Sequence, residues 1–217
     1  MTYLGWVTTY GPTYLDALGW TAVIAVLASL GAIVWGCALL LVPLVAGRWG
    51  ARAVDAYVQV FRNTPVLLPI YLIYFGFPLI GLPWPAAVCG GLALVLQNGA
   101  YVSEILRGSV KAIDRVQFDA AKSIGLSPWS AFRKVVLPQV LVYSIPSLGN
   151  QVVLVLKDTS LLSAITVTEL TMQAKLLTEQ TGAAYEAFAV VAVLYLVLVS
   201  GTEVLFRAAQ RAVRWSR

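Results

Sequence analysis

The 217-residue sequence contains no histidine, and Asp, Glu, Lys and Arg together make up only 12% of it. Histidine is the commonest general base and the commonest metal ligand, so its absence argues against most hydrolytic and metal-dependent chemistry. Cys37 and Cys89 each lie in an apolar run with no second cysteine nearby, and we expect neither a disulfide nor a metal site. The scarcity of charge also argues against a soluble domain, in which roughly 25% of residues are charged.

Apolar residues are what the chain has in abundance. Hydrophobic residues form 59% of it, and the mean hydropathy is +0.81. A soluble fold of this length could not bury so much apolar surface, so the sequence predicts a membrane protein. The net charge of +5 does not indicate nucleic-acid binding, because the basic residues lie between apolar runs, as topology signals do.

The uncharged runs predict an all-α integral membrane protein with five transmembrane helices in a single domain, 1–217. A helix needs about 20 residues to cross a hydrocarbon core about 30 Å thick. The run 63–103 is long enough for two spans, and Gly81, Pro83 and Pro85 divide it because they end helices. The predicted spans are residues 17–46, 65–80, 85–106, 138–157 and 185–206.

With five spans, all basic residues except Lys157 and Lys175 lie on one side of the membrane. They follow the first, third and fifth spans: Arg48, Arg52, Arg62, Arg107, Lys111, Arg115, Lys122, Arg133, Lys134, Arg207, Arg211, Arg214 and Arg217. Because cytoplasmic loops carry an excess of Lys and Arg, this distribution predicts an external amino terminus and a cytoplasmic carboxyl terminus.

The predicted cytoplasmic loop, 107–138, is long for a connection between membrane helices. Its first part predicts a helix over about 109–123, ending before Gly125, where a left-handed residue closes a helix at little cost. The apolar residues of this helix are expected on one side: Val110, Ile113, Phe118 and Ala121.

A second short helix is predicted in the same loop. Ser127 is expected to be its N-cap, with Pro128 at the first helical position. Trp129 and Phe132 then share one face, and Pro138 is expected to end the helix before the fourth span. Two interpretations are equally favoured by this spacing: an aromatic anchor for a groove on another protein, or an interfacial helix lying flat on the bilayer.

The spaced motifs of this loop resemble those of binding-protein-dependent ABC importer permeases. Asp119-Ala120-Ala121, three residues, Gly125, nine residues and then Val135-Val136-Leu137-Pro138 match a family pattern of Glu-Ala-Ala, Gly and aliphatic-x-Leu-Pro. Asp119 keeps the usual carboxylate on a shorter arm. The resemblance implies a coupling helix that docks into a cleft of a separate ATPase subunit. The residues it assigns to ATPase coupling are Asp119, Ala120, Ala121, Gly125, Ser127, Trp129, Phe132, Arg133 and Pro138.

Further motifs resemble the polar amino-acid permeases of that class. They are Arg62-Asn63-Thr64-Pro65, Gly99-Ala100-Tyr101 with Glu104 and Arg107, Lys157-Asp158-Thr159-Ser160-Leu161, and Glu169-Leu170. Pro69 and Val116 depart from the pattern, which has Gln and Gly there. The resemblance implies five spans in a bacterial inner membrane, a second permease chain (identical or related), an ATPase at the cytoplasmic loop and an extracytoplasmic substrate-binding protein.

Polar residues within the apolar runs are candidates for the substrate pathway: Gln97, Asn98, Lys157, Asp158, Thr159 and Ser160. The amides of Gln97 and Asn98 suit an amino-acid ligand, and equally suit hydrogen bonds between helices. The Lys157–Ser160 cluster predicts a broken helix near a permeation path. Its two charges match the ends of a zwitterion, or alternatively neutralise each other and fix a bend. Glu104 and Arg107 are expected to form a surface ion pair.

The function that these observations favour is the permease subunit of an ATP-driven importer for a polar amino acid or a close derivative such as an opine. No Gly-x4-Gly-Lys-Ser/Thr loop occurs, so we predict no enzyme activity and no cofactor in this chain, with ATP and magnesium on the partner ATPase. A stand-alone secondary transporter or channel is the alternative, but no inverted repeat of spans is evident. A membrane-embedded enzyme would need a cluster of intramembrane acid, base or metal groups.

Overall fold

A computed structural model describes residues 3–214 of the chain, with side chains for residues 5, 6 and 8–211. The described part is built of helices without a β-strand. The α-helices are α1 (Tyr3–Arg62), α2 (Leu67–Leu79), α3 (Ala86–Lys111), α4 (Arg115–Ser123), α5 (Pro128–Ala131), α6 (Leu137–Asp158), α7 (Leu170–Thr181) and α8 (Ala184–Arg214). A π-helical turn, Phe132–Val136, joins α5 to α6, and a 3₁₀ helix, Thr159–Ile165, follows α6.

The predicted fold class, an all-α membrane protein, is confirmed. Within the described residues, 4 helical stretches are long and apolar enough to cross a membrane: Thr8–Arg62, Ala86–Lys111, Pro128–Ile165 and Ala184–Arg211. Helix α2 is apolar but shorter. The end of the bundle where α3 finishes and α4 begins is called the basic end below.

Helix α1 folds back on itself at Gly47, whose φ of 57° is in the left-handed region that glycine adopts without strain. The first arm (3–46) and the second arm (48–62) lie side by side. A hydrogen bond across the fold joins them, in which Trp35 Nε1 donates to Tyr57 Oη at 2.8 Å. The second arm lies between the first two predicted spans, where the sequence predicts no element. It is helical, and it returns from the basic end into the bundle.

The second crossing therefore consists of two pieces, the second arm of α1 and then α2. Thr64 and Pro65 separate them, since a residue before proline is disfavoured in a helix. The break is held by α3, where Gln97 Nε2 donates to the carbonyl of Thr64 at 2.8 Å and Leu96 O accepts from Tyr57 Oη at 2.7 Å. This division explains why the predicted second span, 65–80, is short for a bilayer.

The fourth crossing is also broken. Helix α6 ends at Asp158, the 3₁₀ helix follows, and Thr166 has a φ of 63° before the chain resumes as α7. The expected helix end at Pro138 is wrong, because helical structure is continuous from α5 into α6. The π turn explains this: Leu137 N donates to Phe132 O, five residues back, and a widened turn accommodates a proline that lacks an N–H.

Close packing of α1 on α3 forms the centre of the bundle, and small residues make it possible. A Cβ atom on Gly36 would lie 2.5 Å from Val102 Cγ1 and 3.0 Å from Gly99 O. Likewise, a Cβ on Gly99 would lie 2.5 Å from Trp35 Cδ1. Glycine at these positions lets the two helices approach closely, which is how membrane helices commonly associate.

Candidate functional site

The segment 112–136 at the basic end contains α4, a turn and α5. Helix α3 continues to Lys111, so the first short helix begins at Arg115 and not near 109 as predicted. The reason is a cap: Asp114 accepts a hydrogen bond from Val116 N at 3.0 Å. The predicted closure at Gly125 is confirmed, with a φ of 78°. Leu126 N donates to Ala121 O at 3.1 Å, which completes a Schellman end.

The second helix of this segment starts as predicted. Ser127 Oγ accepts from Ser130 N at 3.3 Å, and Pro128 occupies the first turn of α5. Trp129 and Phe132 lie on one face with their rings stacked, 5.8 Å apart at an interplanar angle of 26°. Trp129 is 68% exposed, so the pair presents a flat aromatic surface outside the bundle.

Exposed apolar side chains of the segment extend well beyond these two rings. They are Val116, Phe118, Ile124, Trp129 and Phe132, together called the coupling patch. Of the apolar residues predicted on one side of the first helix, Ile113 and Ala121 are buried, whereas Phe118 is 41% exposed. Ile113 packs with Val136 and anchors the segment to the bundle. An exposed apolar surface of this kind typically marks a contact with another molecule.

A row of alternating charges links the second arm of α1 to the end of α3. Arg107 donates to Asp55 Oδ1 at 2.7 Å, and its Nε lies 3.2 Å from Glu104 Oε1. The predicted Glu104–Arg107 pair is therefore confirmed. Arg62 extends the row, 3.8 Å from Glu104 Oε2. Helix α3 runs directly into the segment that bears the coupling patch, so this row joins that segment to the broken second crossing.

The Lys157–Ser160 cluster lies near the middle of the bundle. Thr159 Oγ1 is 3.4 Å from Tyr195 Oη, and Tyr195 is in α8, eleven residues after its first residue, Ala184. At about 1.5 Å per residue, Tyr195 is roughly 16 Å from that end of the helix. The cluster therefore lies beside the interior of α8 and not beside either of its ends.

Lys157 and Asp158 do not neutralise each other. No ion pair within 4 Å joins them, nor does either pair with another charged group in the described part of the chain. Lys157 is exposed and Asp158 is half-buried. The structure therefore does not contain the Lys157–Asp158 ion pair that the alternative interpretation, a neutralised pair fixing a bend, requires. The hydroxyls bond locally, since Ser160 Oγ donates to Lys157 O at 2.8 Å and Thr159 Oγ1 to Leu156 O at 2.7 Å.

A groove of about 430 Å³ opens beside this cluster. It is lined by Lys157, Ser160, Ala192, Tyr195, Leu196 and Val199. Leu196 is 66% exposed, so the groove lies on the surface of this chain between α6 and α8. Its lining combines one ammonium group and two hydroxyls with aliphatic walls, which is the usual composition of a small-molecule site.

Gln97 and Asn98 lie apart from this groove, in the interior of the bundle. Asn98 Oδ1 accepts from Gln151 Nε2 at 2.6 Å, and Asn98 Nδ2 donates to Leu94 O at 2.9 Å. Gln97 binds the carbonyl of Thr64, while its Oε1 is buried without a hydrogen-bond partner among the described residues. The structure brings these amides to α6 and to the break in the second crossing, and not to Lys157.

Tyr195 lines the groove and Glu169 lies buried behind Tyr195, and the sequence singled out neither for a role in the groove. Glu169 is fully buried at the start of α7, where its carboxylate accepts from Thr171 N and Met172 N, both at 2.8 Å. Tyr195 Oη also donates to this carboxylate, at 2.8 Å. A carboxylate directly before a helix is favoured by the partial positive charge of the helix N-terminus, a signal that could have revealed the first role. The tyrosine is 26 residues further along the chain and left no local signal.

Comparison with known proteins gives relatives along nearly the whole chain. The nopaline transport system permease protein NocM of Agrobacterium fabrum is 33% identical, with 94% of this chain and 88% of its own covered. The glutamine transport system permease protein GlnP of Escherichia coli is also 33% identical, with 94% of each chain covered.

Solved structures agree with these relatives. A chain from a crystal structure of an amino acid ABC transporter with histidines is 30% identical, with a TM-score of 0.91 over 98% of this chain and 99% of that one. A chain of the MetNI methionine ABC transporter in an inward-facing conformation has a TM-score of 0.80 at 18% identity, and shares the fold. Residues 28–215 match the family model described as binding-protein-dependent transport system inner membrane component, and the chain belongs to that family of ABC transporter permeases.

Proposed function

We propose that this chain forms the translocation pathway of an ABC importer for a polar amino acid or a close derivative such as an opine. The observation that supports this cargo is the unpaired ammonium of Lys157 in the groove beside α8. An ionised group within a membrane-spanning segment costs about 2.5–3.5 kcal/mol on insertion scales, and such groups usually have a functional role. Lys157 lies within the candidate span Pro128–Ile165. The carboxylate of a zwitterionic substrate would compensate the charge of Lys157. The half-buried Asp158, the next residue in the chain, would compensate the substrate's α-ammonium group.

The pathway is proposed to form between two permease chains. The groove is open on the surface of this chain, and the residues of α8 that line it include the exposed Leu196. A second permease chain, identical or related, would close the groove and exclude lipid from the charges. Gln97 and Asn98 then act as structural supports of the broken crossings. Lys157 and Ser160 face the cargo in the groove, with the half-buried Asp158 beside them, whereas Thr159 is fully buried behind the groove.

The coupling patch is the proposed docking surface for a separate ATPase subunit. Stacked Trp129 and Phe132 provide an aromatic anchor of the kind that dominates protein interfaces. Helix α5 is continuous through the π turn with α6, so a displacement of the patch acts directly on the crossing that carries Lys157. This continuity favours docking over a separate helix lying on the bilayer. ATP and magnesium would act on the ATPase.

The orientation proposed for the chain follows from the same contact. An ATPase subunit in the cytoplasm requires the basic end, with the coupling patch, to face the cytoplasm. The amino terminus is then outside, and an extracytoplasmic binding protein delivers the cargo at the opposite end of the bundle, where α8 begins. The distribution of arginine and lysine supports this orientation independently of the patch.

A transport assay tests the cargo. The chain, with its ATPase and binding protein, is reconstituted into liposomes, and ATP-driven uptake of labelled amino acids, an opine, a sugar and a dipeptide is compared. We expect uptake of at least one polar amino acid or opine, and competition by molecules with both an α-carboxylate and a cationic nitrogen. Uptake of the sugar alone would refute the proposed cargo class.

A further inference from the structure

The fold of α1 places two arginines against one tryptophan at the tip of the helical hairpin. The guanidinium carbon of Arg48 lies 5.6 Å from the ring centroid of Trp49, and that of Arg52 lies 5.1 Å from it. Attraction between cations and the aromatic ring places both guanidinium groups around this one side chain. Trp49 is 66% exposed, so Arg48, Trp49 and Arg52 form an open surface, called the Trp49 patch below.

Neither guanidinium of the Trp49 patch has an ion-pair partner among the carboxylates that the structure describes. Other arginines at the basic end do have one: Arg62, Arg107 and Arg207. Asp55, three residues after Arg52, is engaged by Arg107 at 2.7 Å. The patch therefore keeps two positive charges that nothing else in the described chain compensates.

The surface next to the patch is strongly apolar. Leu44 is 79% exposed and Val45 is 90% exposed, immediately before the turn at Gly47. Tryptophan and arginine beside such residues are typical of the boundary between hydrocarbon and headgroups. A soluble anion would use only the two charges, whereas a phospholipid would use the charges and the aliphatic side chains together.

We propose that the Trp49 patch is a binding site for an anionic phospholipid of the leaflet at the basic end. The lipid phosphate lies between the guanidinium groups of Arg48 and Arg52, which can hold phosphate oxygens by paired hydrogen bonds. Its acyl chains lie along Leu44 and Val45. The site is on the turn that leads into the broken second crossing, and it shares no residue with the groove or the coupling patch.

Native mass spectrometry of the full-length chain released from nanodiscs of mixed phosphatidylglycerol and phosphatidylcholine tests this. We expect the wild-type chain to retain phosphatidylglycerol preferentially. Arg48→Gln with Arg52→Gln should weaken this retention by at least about tenfold, because both guanidinium groups lose their charge-assisted hydrogen bonds to the phosphate. The matched control, Arg207→Gln with Arg211→Gln, removes the same charge at the same end and should leave the retention unchanged.

Several outcomes overturn the proposal. Equal retention of phosphatidylcholine, or an equal loss in the control variant, would reduce the patch to non-specific surface charge. Displacement of the lipid by excess inorganic phosphate would make it a free-anion site. If the double arginine variant fails to insert, Trp49→Leu keeps both charges and should still lower phosphatidylglycerol retention; unchanged retention would contradict a site built on the ring.

Discussion

The hydroxyl of Tyr195 donates to the carboxylate of Glu169 at 2.8 Å. This hydrogen bond joins α8 to the N-cap of α7, which follows the break in the fourth crossing. The same carboxylate caps α7, and Tyr195 lines the groove beside Lys157. Glu169 thereby holds a wall of the groove in place without facing the groove itself. This relationship connects helix capping, packing and the proposed cargo site in one contact.

Replacement of Glu169 should be strongly destabilising. Glu169→Ala leaves the N–H groups of Thr171 and Met172 and the hydroxyl of Tyr195 without their acceptor in a buried site, at about 1–3 kcal/mol for each unsatisfied group. Thermal unfolding in detergent should show a clear fall in Tm. Glu179→Ala, at an exposed position of the same helix, is the control and should change Tm little. Equal effects of the two substitutions would contradict the capping role.

Removal of the aromatic anchor should separate the chain from its ATPase. Trp129→Ala with Phe132→Ala deletes the stacked aromatic pair of the coupling patch, and hot-spot aromatics typically contribute 2 kcal/mol or more to an interface. The affinity for the ATPase should fall at least about 30-fold, and the ATPase should no longer co-purify with the chain. Trp84→Ala, outside the patch and between α2 and α3, is the control. Unchanged co-purification and transport in the double variant would remove the patch from the interface.

The ion pair between Asp55 and Arg107 should contribute little to stability. Asp55 is 58% exposed at its side chain, and solvent screens such pairs, so a double-mutant cycle with Asp55→Asn and Arg107→Gln should give a coupling energy of less than about 1 kcal/mol. The rate of ATP-driven uptake should nevertheless fall clearly in each single variant, because the pair joins α3 to the broken second crossing. If each variant loses several kcal/mol of unfolding free energy and its uptake falls only because less folded protein remains, the pair is only structural.

A methyl group between α1 and α3 should disrupt the centre of the bundle. Gly36→Ala would place a Cβ atom 2.5 Å from Val102 Cγ1 and 3.0 Å from Gly99 O, where backbone cannot easily move. Overpacking of this kind costs about 1–3 kcal/mol. Gly76→Ala is the control, because no atom lies within 4 Å of its Cβ position. Stability is compared by unfolding in detergent, and similar values for the two variants would contradict the close approach.

Local signals predicted the basic-end segment well, and distant contacts explain what they missed. Ser127, Pro128 and Gly125 act through hydrogen bonds and backbone angles within a few residues, so their roles were visible in the sequence. The fold of α1 at Gly47 was not, because it depends on packing between arms that are far apart in sequence. Nor was continuity through Pro138, since proline normally ends a helix and only the preceding π turn accommodates it.

The most direct measurement of the central claim is uptake of labelled substrate into liposomes that contain the chain with its ATPase and binding protein. We predict that uptake requires ATP. In Lys157→Met the uptake rate should fall by at least about tenfold, because the uncharged methionine cannot compensate the carboxylate of a substrate in the groove. Lys111→Met, at the exposed end of α3, should transport normally. Substrate movement by the purified chain alone, without an ATPase, or unchanged uptake in Lys157→Met, would contradict the account.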